Sequence, residues 1–259
     1  MTTQQVSLDK DVADGGRWSI NLTPLPMRFL RVSPLVILGV AFLHLITTDY
    51  FFSHVLGRSG DGNADAIRNL FQMEYEQSIP TWISTMLLMA CGVVLLAIGG
   101  FETSRRARSR YAWLSLGVIF VLMSLDEHVG IHEVGSIYLG KVVHGKGFLS
   151  YEWVIPGFVF VAAAALFYWR AFRRLPQPYP LLFFGAGAIY VSGALLTEMI
   201  EAKVRSNPDA SEFAVMLSFL VQDPLEFLGA SLFLYALARY CVEQLGWRRL
   251  TFEASPPAA

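Results

Sequence analysis

Apolar residues gather in this chain into six long blocks, residues 32–52, 80–101, 111–130, 153–172, 180–200 and 213–238, instead of alternating with polar ones or marking a single helical stripe. A helix needs about 20 predominantly apolar residues to cross a bilayer. Each block is long enough, so the pattern predicts an all-α, polytopic integral membrane protein built as a bundle of six transmembrane helices. One domain is expected, residues 32–240, preceded by a polar segment 1–31 and followed by a tail 241–259. The start lacks the short basic stretch and small-residue cleavage site of a signal peptide, and no cleaved leader is expected. Between the blocks, residues 57–63 are rich in Gly, Asp and Asn and read as a flexible loop, while Pro176, Pro178 and Pro180 stiffen the connection into the fifth block. Residues 65–77 suggest a short surface helix, and Gly185 to Ala188 a site of close helix packing.

Lysine and arginine fall unevenly about these blocks. Fourteen of the twenty lie on one side, including Arg28, Arg31, the group from Arg105 to Arg110, Arg170, Arg173, Arg174, Arg239, Arg248 and Arg249. Cytoplasmic loops carry this excess, so both termini are expected in the cytoplasm. Tyr50, Trp82, Tyr151 and Trp153 would then lie at the outer interface, and Tyr111, Trp113, Trp169 and Tyr240 at the inner one. That topology suits a plasma membrane or bacterial inner membrane. The composition of 54% hydrophobic and 16% charged residues, with a net charge of −1, leaves no basic patch for nucleic acid. Cys91 in the second block and Cys241 beyond the sixth are poorly placed for a mutual disulfide.

Ionisable residues inside the blocks carry the functional signal. An ionisable group within the hydrocarbon layer costs at least about 2 to 3 kcal/mol on insertion scales, so such groups usually face a bundle interior and mark a site. They lie in the outer half: Asp126, Glu127, His128, His132 and Glu133 in and just beyond the third block, Glu198 and Glu201 in and just beyond the fifth, Asp223 and Glu226 in the sixth, with His44 and Asp49 as additions from the first. The inner stretches 32–43, 111–125, 180–197 and 227–238 contain no charge. An outward-opening pocket above an apolar floor is expected.

His128 and His132 are four apart, which places both imidazoles on one helical face where they can offer two nitrogens to a cation. Asp126 and Glu133 fall on a neighbouring stripe, and Glu127 points more nearly the other way. The expected metal ligands are His128, His132, Glu133, Glu198, Glu201 and Glu226, with Asp126, Glu127 and Asp223 in proton transfer or orientation. Pro224 removes a backbone donor and predicts a kink in the sixth helix. His54 and His144 read as loop residues.

This inventory fits a divalent metal, iron or manganese in a two-metal carboxylate site, or one zinc held by the histidines and an acid. The order does not match the paired Glu-x-x-His of ferritin-like bundles, and no nucleophile elbow, Walker loop or dinucleotide fingerprint is present. The leading expectation is a metal-dependent oxidoreductase or hydrolase acting on a lipid-like substrate that arrives from the bilayer, with membrane lipids as its surroundings. Intramembrane acids suit an ion- or proton-coupled transporter equally well, but a conducting path needs polar stations in the inner half, where Ser115 is almost alone. A non-catalytic subunit or metal-assembly factor is the third class.

Overall fold

The structure is a computed structural model that describes residues 8–9, 17–48, 51, 56, 62–73, 75, 77–101 and 107–253. Six helical segments are long and apolar enough to cross a membrane, and the protein is an all-α, multi-pass integral membrane protein. In chain order the helices are α1 (Leu25–Thr47), α2 (Gly62–Asn69), α3 (Ile79–Phe101), α4 (Ala107–Val129), α5 (Ile131–Val143), α6 (Val154–Phe172), α7 (Tyr179–Val191), α8 (Glu198–Arg205) and α9 (Glu212–Glu243). A π-helical turn, Ser192–Thr197, joins α7 to α8, so that Tyr179–Arg205 forms one span.

Helix α1 starts seven residues earlier than hydropathy suggests. Pro26 suits the first turn, where its missing N–H costs nothing. Arg28 and Arg31 are therefore helical, and their long apolar stems let the charged ends reach the interface. The surface helix is shorter than expected, ending at Asn69. Helix α9 begins at Ser211, whose hydroxyl accepts the Ala214 N–H at 3.2 Å, and it continues helical across Pro224. The tails also hold structure that hydropathy does not reveal. Strands β1 (Leu8–Asp9), β2 (Arg17–Asn21) and β3 (Arg249–Glu253) form an antiparallel sheet in that order, with Ile20 opposite Leu250. This pairing holds both ends of the bundle on one face.

The bundle is organised around α9, which packs against α1, α3 and α7. Helix α3 buries Thr81, Ser84, Leu88, Cys91, Leu95 and Ile98, a run of alternating three- and four-residue steps that forms one stripe. Against α4 the fit is close enough that a Cβ on Gly92 would lie 3.1 Å from the Val121 nitrogen, and one on Gly117 3.0 Å from the Leu96 nitrogen. Lipid tails remove most of the hydrophobic drive between helices, so such close van der Waals contact supplies the association. Two residues of the sequence-predicted packing stretch behave differently: a Cβ on Gly185 or Gly187 would meet nothing within 4 Å. The intimate contact of that helix comes further along, where Gly229 of α9 lies against the Tyr190 backbone and Gly193 against Glu226.

On the side of the sheet the core is aromatic. Trp113 sits 4.5 Å from Phe172 and 5.2 Å from Tyr240 between ring centroids, and Phe233 stacks on Phe120 at 4.8 Å. Trp113 and Tyr240 are thus buried core residues and do not form part of the interfacial belt expected for them. Helix α6 meets α4, α7 and the π turn only sparsely, and behind it lies a half-open cavity of about 1350 Å³.

Candidate functional site

The cavity lies between α4, α5, α6, the α7–α8 span and α9, and its two ends differ in chemistry. Towards the sheet it is lined by Phe120, Tyr168, Phe172, Phe183 and Phe233. Towards the opposite face the lining is Asp126, Glu127, His132, Glu133, Glu152, Glu198, Glu201, Arg205, Gln222, Asp223 and Glu226. Of the sequence-predicted site residues, eight are brought to this one space: Asp126, Glu127, His132, Glu133, Glu198, Glu201, Asp223 and Glu226. Glu201 is 5% exposed and Glu226 9%.

The pairing of His128 with His132 does not form. Gly130 adopts φ +64°, a left-handed conformation open to glycine at little cost. It ends α4 and starts α5, so residues 128 and 132 belong to different helices and lose the four-residue register. His128 is exposed and lies off the cavity lining. The Asp126 and Glu133 stripe is lost for the same reason, and Glu133 is exposed at the cavity margin. In exchange, the break turns α5 back towards Asp126. One carboxylate oxygen of Asp126 accepts the His132 backbone N–H at 2.9 Å, and the other lies 3.0 Å from His132 Nδ1. A carboxylate is well placed at a helix start, where unpaired N–H groups point.

Burial disfavours an imidazolium at His132, but the hydrogen bond and charge of Asp126, with the charges of Glu198 and Glu133, hold its pKa above the usual histidine value. With Nδ1 taken up by Asp126, Nε2 is the ring nitrogen left for a proton or a metal. The His132 ring packs against Trp153 with centroids 5.0 Å apart. Trp153 in turn donates its indole N–H to Glu198 Oε1 at 3.0 Å, and its backbone N–H to Ser136 Oγ at 3.2 Å.

Two residues earlier, the Tyr151 hydroxyl donates to Glu201 at 3.1 Å, and the same carboxylate oxygen receives Arg205 Nε at 2.8 Å. Burial and the Glu201 charge raise the Tyr151 phenol pKa. Glu198 and Glu201, one turn apart on α8, therefore both reach the α5–α6 connection. That connection is itself tight: a Cβ on Gly140 would come within 3.2 Å of Glu152, which accepts the Gly145 N–H.

Glu226 has a different environment. Gln222 lies one turn before it, and Glu127, Asp223 and Glu198 are near enough for their charges to act on it. Gln222 Oε1 is buried without a hydrogen-bond partner. Tyr190, across the α7–α9 contact, lies near enough to Glu226, Glu127 and Asp126 to feel their charges. The π turn stands directly before the two acids of α8, and Thr197 bonds back to the Gly193 carbonyl within it. Such turns recur at functional sites because they re-aim the residues that follow.

His44 stands apart from this site. It is 1% exposed, its Nδ1 accepts the Met73 N–H at 3.0 Å, and beside it Gln72 donates to the Thr47 carbonyl at 2.8 Å. It fastens the chain that returns from α2 to α3. Asp49, like His54, lies outside the described residues. Among the described residues no group of three or more His, Cys, Asp and Glu side chains is already gathered within reach of one ion.

Sequence reasoning missed Tyr151, Trp153, Tyr190 and Arg205 as site residues. The first two read as interfacial aromatics, yet a Trp or Tyr beside intramembrane acids carries the polar donor those acids need. Tyr190 lay hidden in an apolar run, and Arg205 read as an outer-loop charge.

These features define a six-span integral membrane protein with a large intramembrane cavity, acidic at one end and aromatic at the other. The chain belongs to a family described as a domain of unknown function, DUF8692, which it matches over residues 35–241. That stretch contains all the described cavity-lining residues and leaves out the strands β1, β2 and β3. No curated protein and no solved structure matches the chain.

Proposed function

We propose that this protein is an intramembrane metal-dependent enzyme that acts on a lipid-like molecule held in the cavity, with its termini in the cytoplasm and the acidic end of the cavity towards the outside. The observation that carries this reading is the Asp126–His132 pair on the cavity lining. A carboxylate that takes one imidazole nitrogen fixes the tautomer and orients the other, the arrangement commonly found behind metal-bound histidines and catalytic bases. Glu198 and Glu133, whose charges act on the His132 imidazole, are the acids that would complete a divalent metal's ligands with it, while Asp126 orients the ring.

Hydrolysis is favoured over oxygen activation because the described cavity lining presents one imidazole, that of His132, with His128 outside it. A metal held by these residues would supply an activated water for cleavage of an ester, amide or phosphate linkage of the substrate. The aromatic lining on the sheet side weighs against ion transport, since a permeant ion passing it would meet rings in place of charges.

Elemental analysis of the full chain, purified in a gentle detergent without chelator, tests the proposal. The expected result is stoichiometric iron, manganese or zinc that is lost in His132→Ala at unchanged yield of folded protein. Metal near zero in the unsubstituted protein rejects the metal-dependent reading. Normal metal in both His132→Ala and Glu198→Ala rejects the ligand assignment alone.

A further inference from the structure

We propose that the part of the cavity formed by Glu127, Gln222, Asp223 and Glu226 binds the positively charged amino head of a single-chain amphiphile, whose tail runs towards Phe120, Phe183 and Phe233. This rests on the reading of the cavity as a lipid-like substrate site and names the class of substrate it takes.

The acids of the cavity fall into two sets. Around His132, Asp126 is hydrogen-bonded to the imidazole and Glu198 to the Trp153 indole; Glu201 is paired with Arg205. His132 and Arg205 are the basic side chains among the described lining residues, and both belong to this set. The second set, on α4 and α9, holds the three carboxylates of Glu127, Asp223 and Glu226 beside the amide of Gln222, whose N–H bonds Glu226. Glu226 is 9% exposed, and Asp223 receives none of the described hydrogen bonds or ion pairs. Gln222 Oε1 is buried with no donor.

A buried acceptor without a donor carries a desolvation cost, and carboxylates near one another repel. A ligand with several N–H donors and a positive charge relieves both at once. A primary ammonium has three such donors on one atom. A phosphate or sulfate head would add negative charge to the same place, and a hydroxyl would add one donor and no charge. The occupant is an amphiphile and not a free amine, because the space continues without interruption into the aromatic end, where Phe233 stacks on Phe120 and lies 5.3 Å from Phe183. Its volume, about 1350 Å³, exceeds the roughly 300–1,000 Å³ of ordinary small-molecule pockets and leaves room for a long chain.

The test uses the purified full chain and four probes of equal chain length: hexadecylamine, hexadecyltrimethylammonium, hexadecanol and hexadecyl phosphate. Binding is measured by competition in detergent, with and without prior chelation. The expected order places the primary amine at least about tenfold tighter than the alcohol, a difference in keeping with charged over neutral hydrogen bonding, and the phosphate weakest. The trimethylammonium probe, which has charge but no donors, should fall between amine and alcohol. Asp223→Asn with Glu226→Gln should bring amine and alcohol together while leaving the alcohol's affinity unchanged. If that variant does not fold, the head-group order on the unsubstituted protein still decides. Equal affinity for amine and alcohol, or tightest binding of the phosphate, overturns the inference. So does a divalent metal that displaces the amine and is itself lost in the Asp223→Asn, Glu226→Gln variant, since the acids would then belong to the metal. Amine selectivity in a protein that holds no metal would leave the inference standing and remove the metal-dependent reading. Bound metal with no head-group preference would do the reverse.

Discussion

The seam between α3 and α4 and the wall formed by α6 are both rich in small residues, yet one is closed and the other open. Gly92, Gly99 and Gly117 bring two backbones together until an added Cβ would touch main-chain atoms. Helix α6 carries four consecutive alanines, Ala162 to Ala165, but Ala164 and Ala165 line the cavity. The difference lies at the ends of α6. Near one end Phe172 packs on Trp113 with centroids 4.5 Å apart, and the Tyr168 hydroxyl meets Ser115 Oγ at 3.0 Å. At the other, Trp153 reaches across to Glu198. Large aromatic side chains hold the helix off its neighbours at both ends, and the alanines between them leave the gap unfilled. Small residues permit close packing; the residues flanking them decide whether it happens.

The most damaging way to break this contrast is to enlarge a glycine in the closed seam. Gly117→Val should cost about 1–3 kcal/mol or more, because its Cβ would meet the Leu96 main-chain nitrogen, which cannot rotate away. Gly187→Val, where no atom lies within 4 Å of the new Cβ, serves as the control. Unfolding in mixed detergent micelles would measure both, and equal losses would show that the seam is no tighter than the cavity side. A smaller loss is expected from Trp153→Phe, which keeps a ring against His132 but removes the donor to Glu198. Hydrogen bonds to charged groups are worth about 1.5–3 kcal/mol and neutral ones about 1 kcal/mol, so Trp153→Phe should cost more than Tyr168→Phe, which breaks the hydroxyl pair at the other end of the same helix. The reverse order would locate the main support of α6 at Ser115.

The pair formed by Asp126 and His132 gives the contrast a pH dependence. In the fold, His132 titrates above its unfolded value of about 6.5. The folded state therefore binds the proton more tightly, and the stabilisation is fully present below about pH 6.5 and lost as pH rises through the folded pKa. Melting temperatures should accordingly fall more steeply from mildly acidic to alkaline pH in the unsubstituted protein than in Asp126→Asn. The Gly117 seam contains no titratable group and should contribute no such slope. Parallel profiles for the two proteins would mean that the pair does not hold the α4–α5 break.

The class of fold was legible because membrane spans announce themselves by length and composition, and so was the gathering of the acids, since buried charge must face inward. What lay beyond reading was local geometry. The spacing of His128 and His132 has meaning only within an unbroken helix, and a single residue, Gly130, supplies the left-handed conformation that ends it. A glycine inside an apolar run is equally at home in a helix packed against another, as Gly117 is, so the residue type cannot distinguish the two. Trp113 and Trp153 make the same point for aromatics. Both sit near predicted span ends, yet one is fully buried in the core and the other binds an acid. The terminal sheet escaped notice because its strands contribute no long apolar block.

The smallest change in stability should come from filling the open side. Ala164→Leu adds three carbons to a side chain that faces the cavity beside Tyr168 and Phe183, where added volume displaces empty or lipid-filled space and not backbone. Overpacking that costs about 1–3 kcal/mol in a closed core should be nearly absent, and the melting temperature should stay close to that of the unsubstituted protein. The effect should appear in the ligand. If the aromatic end receives an alkyl tail, the longest chain that binds well should shorten by about two to three carbons, the bulk of the new side chain, while the preference for an amino head remains. A series of primary alkylamines from ten to eighteen carbons would measure it. A large loss of stability would mean that α6 is packed as closely as α3 and α4. An unchanged chain-length optimum would place the tail elsewhere, and a lost amine preference would mean that the two ends of the cavity do not act independently.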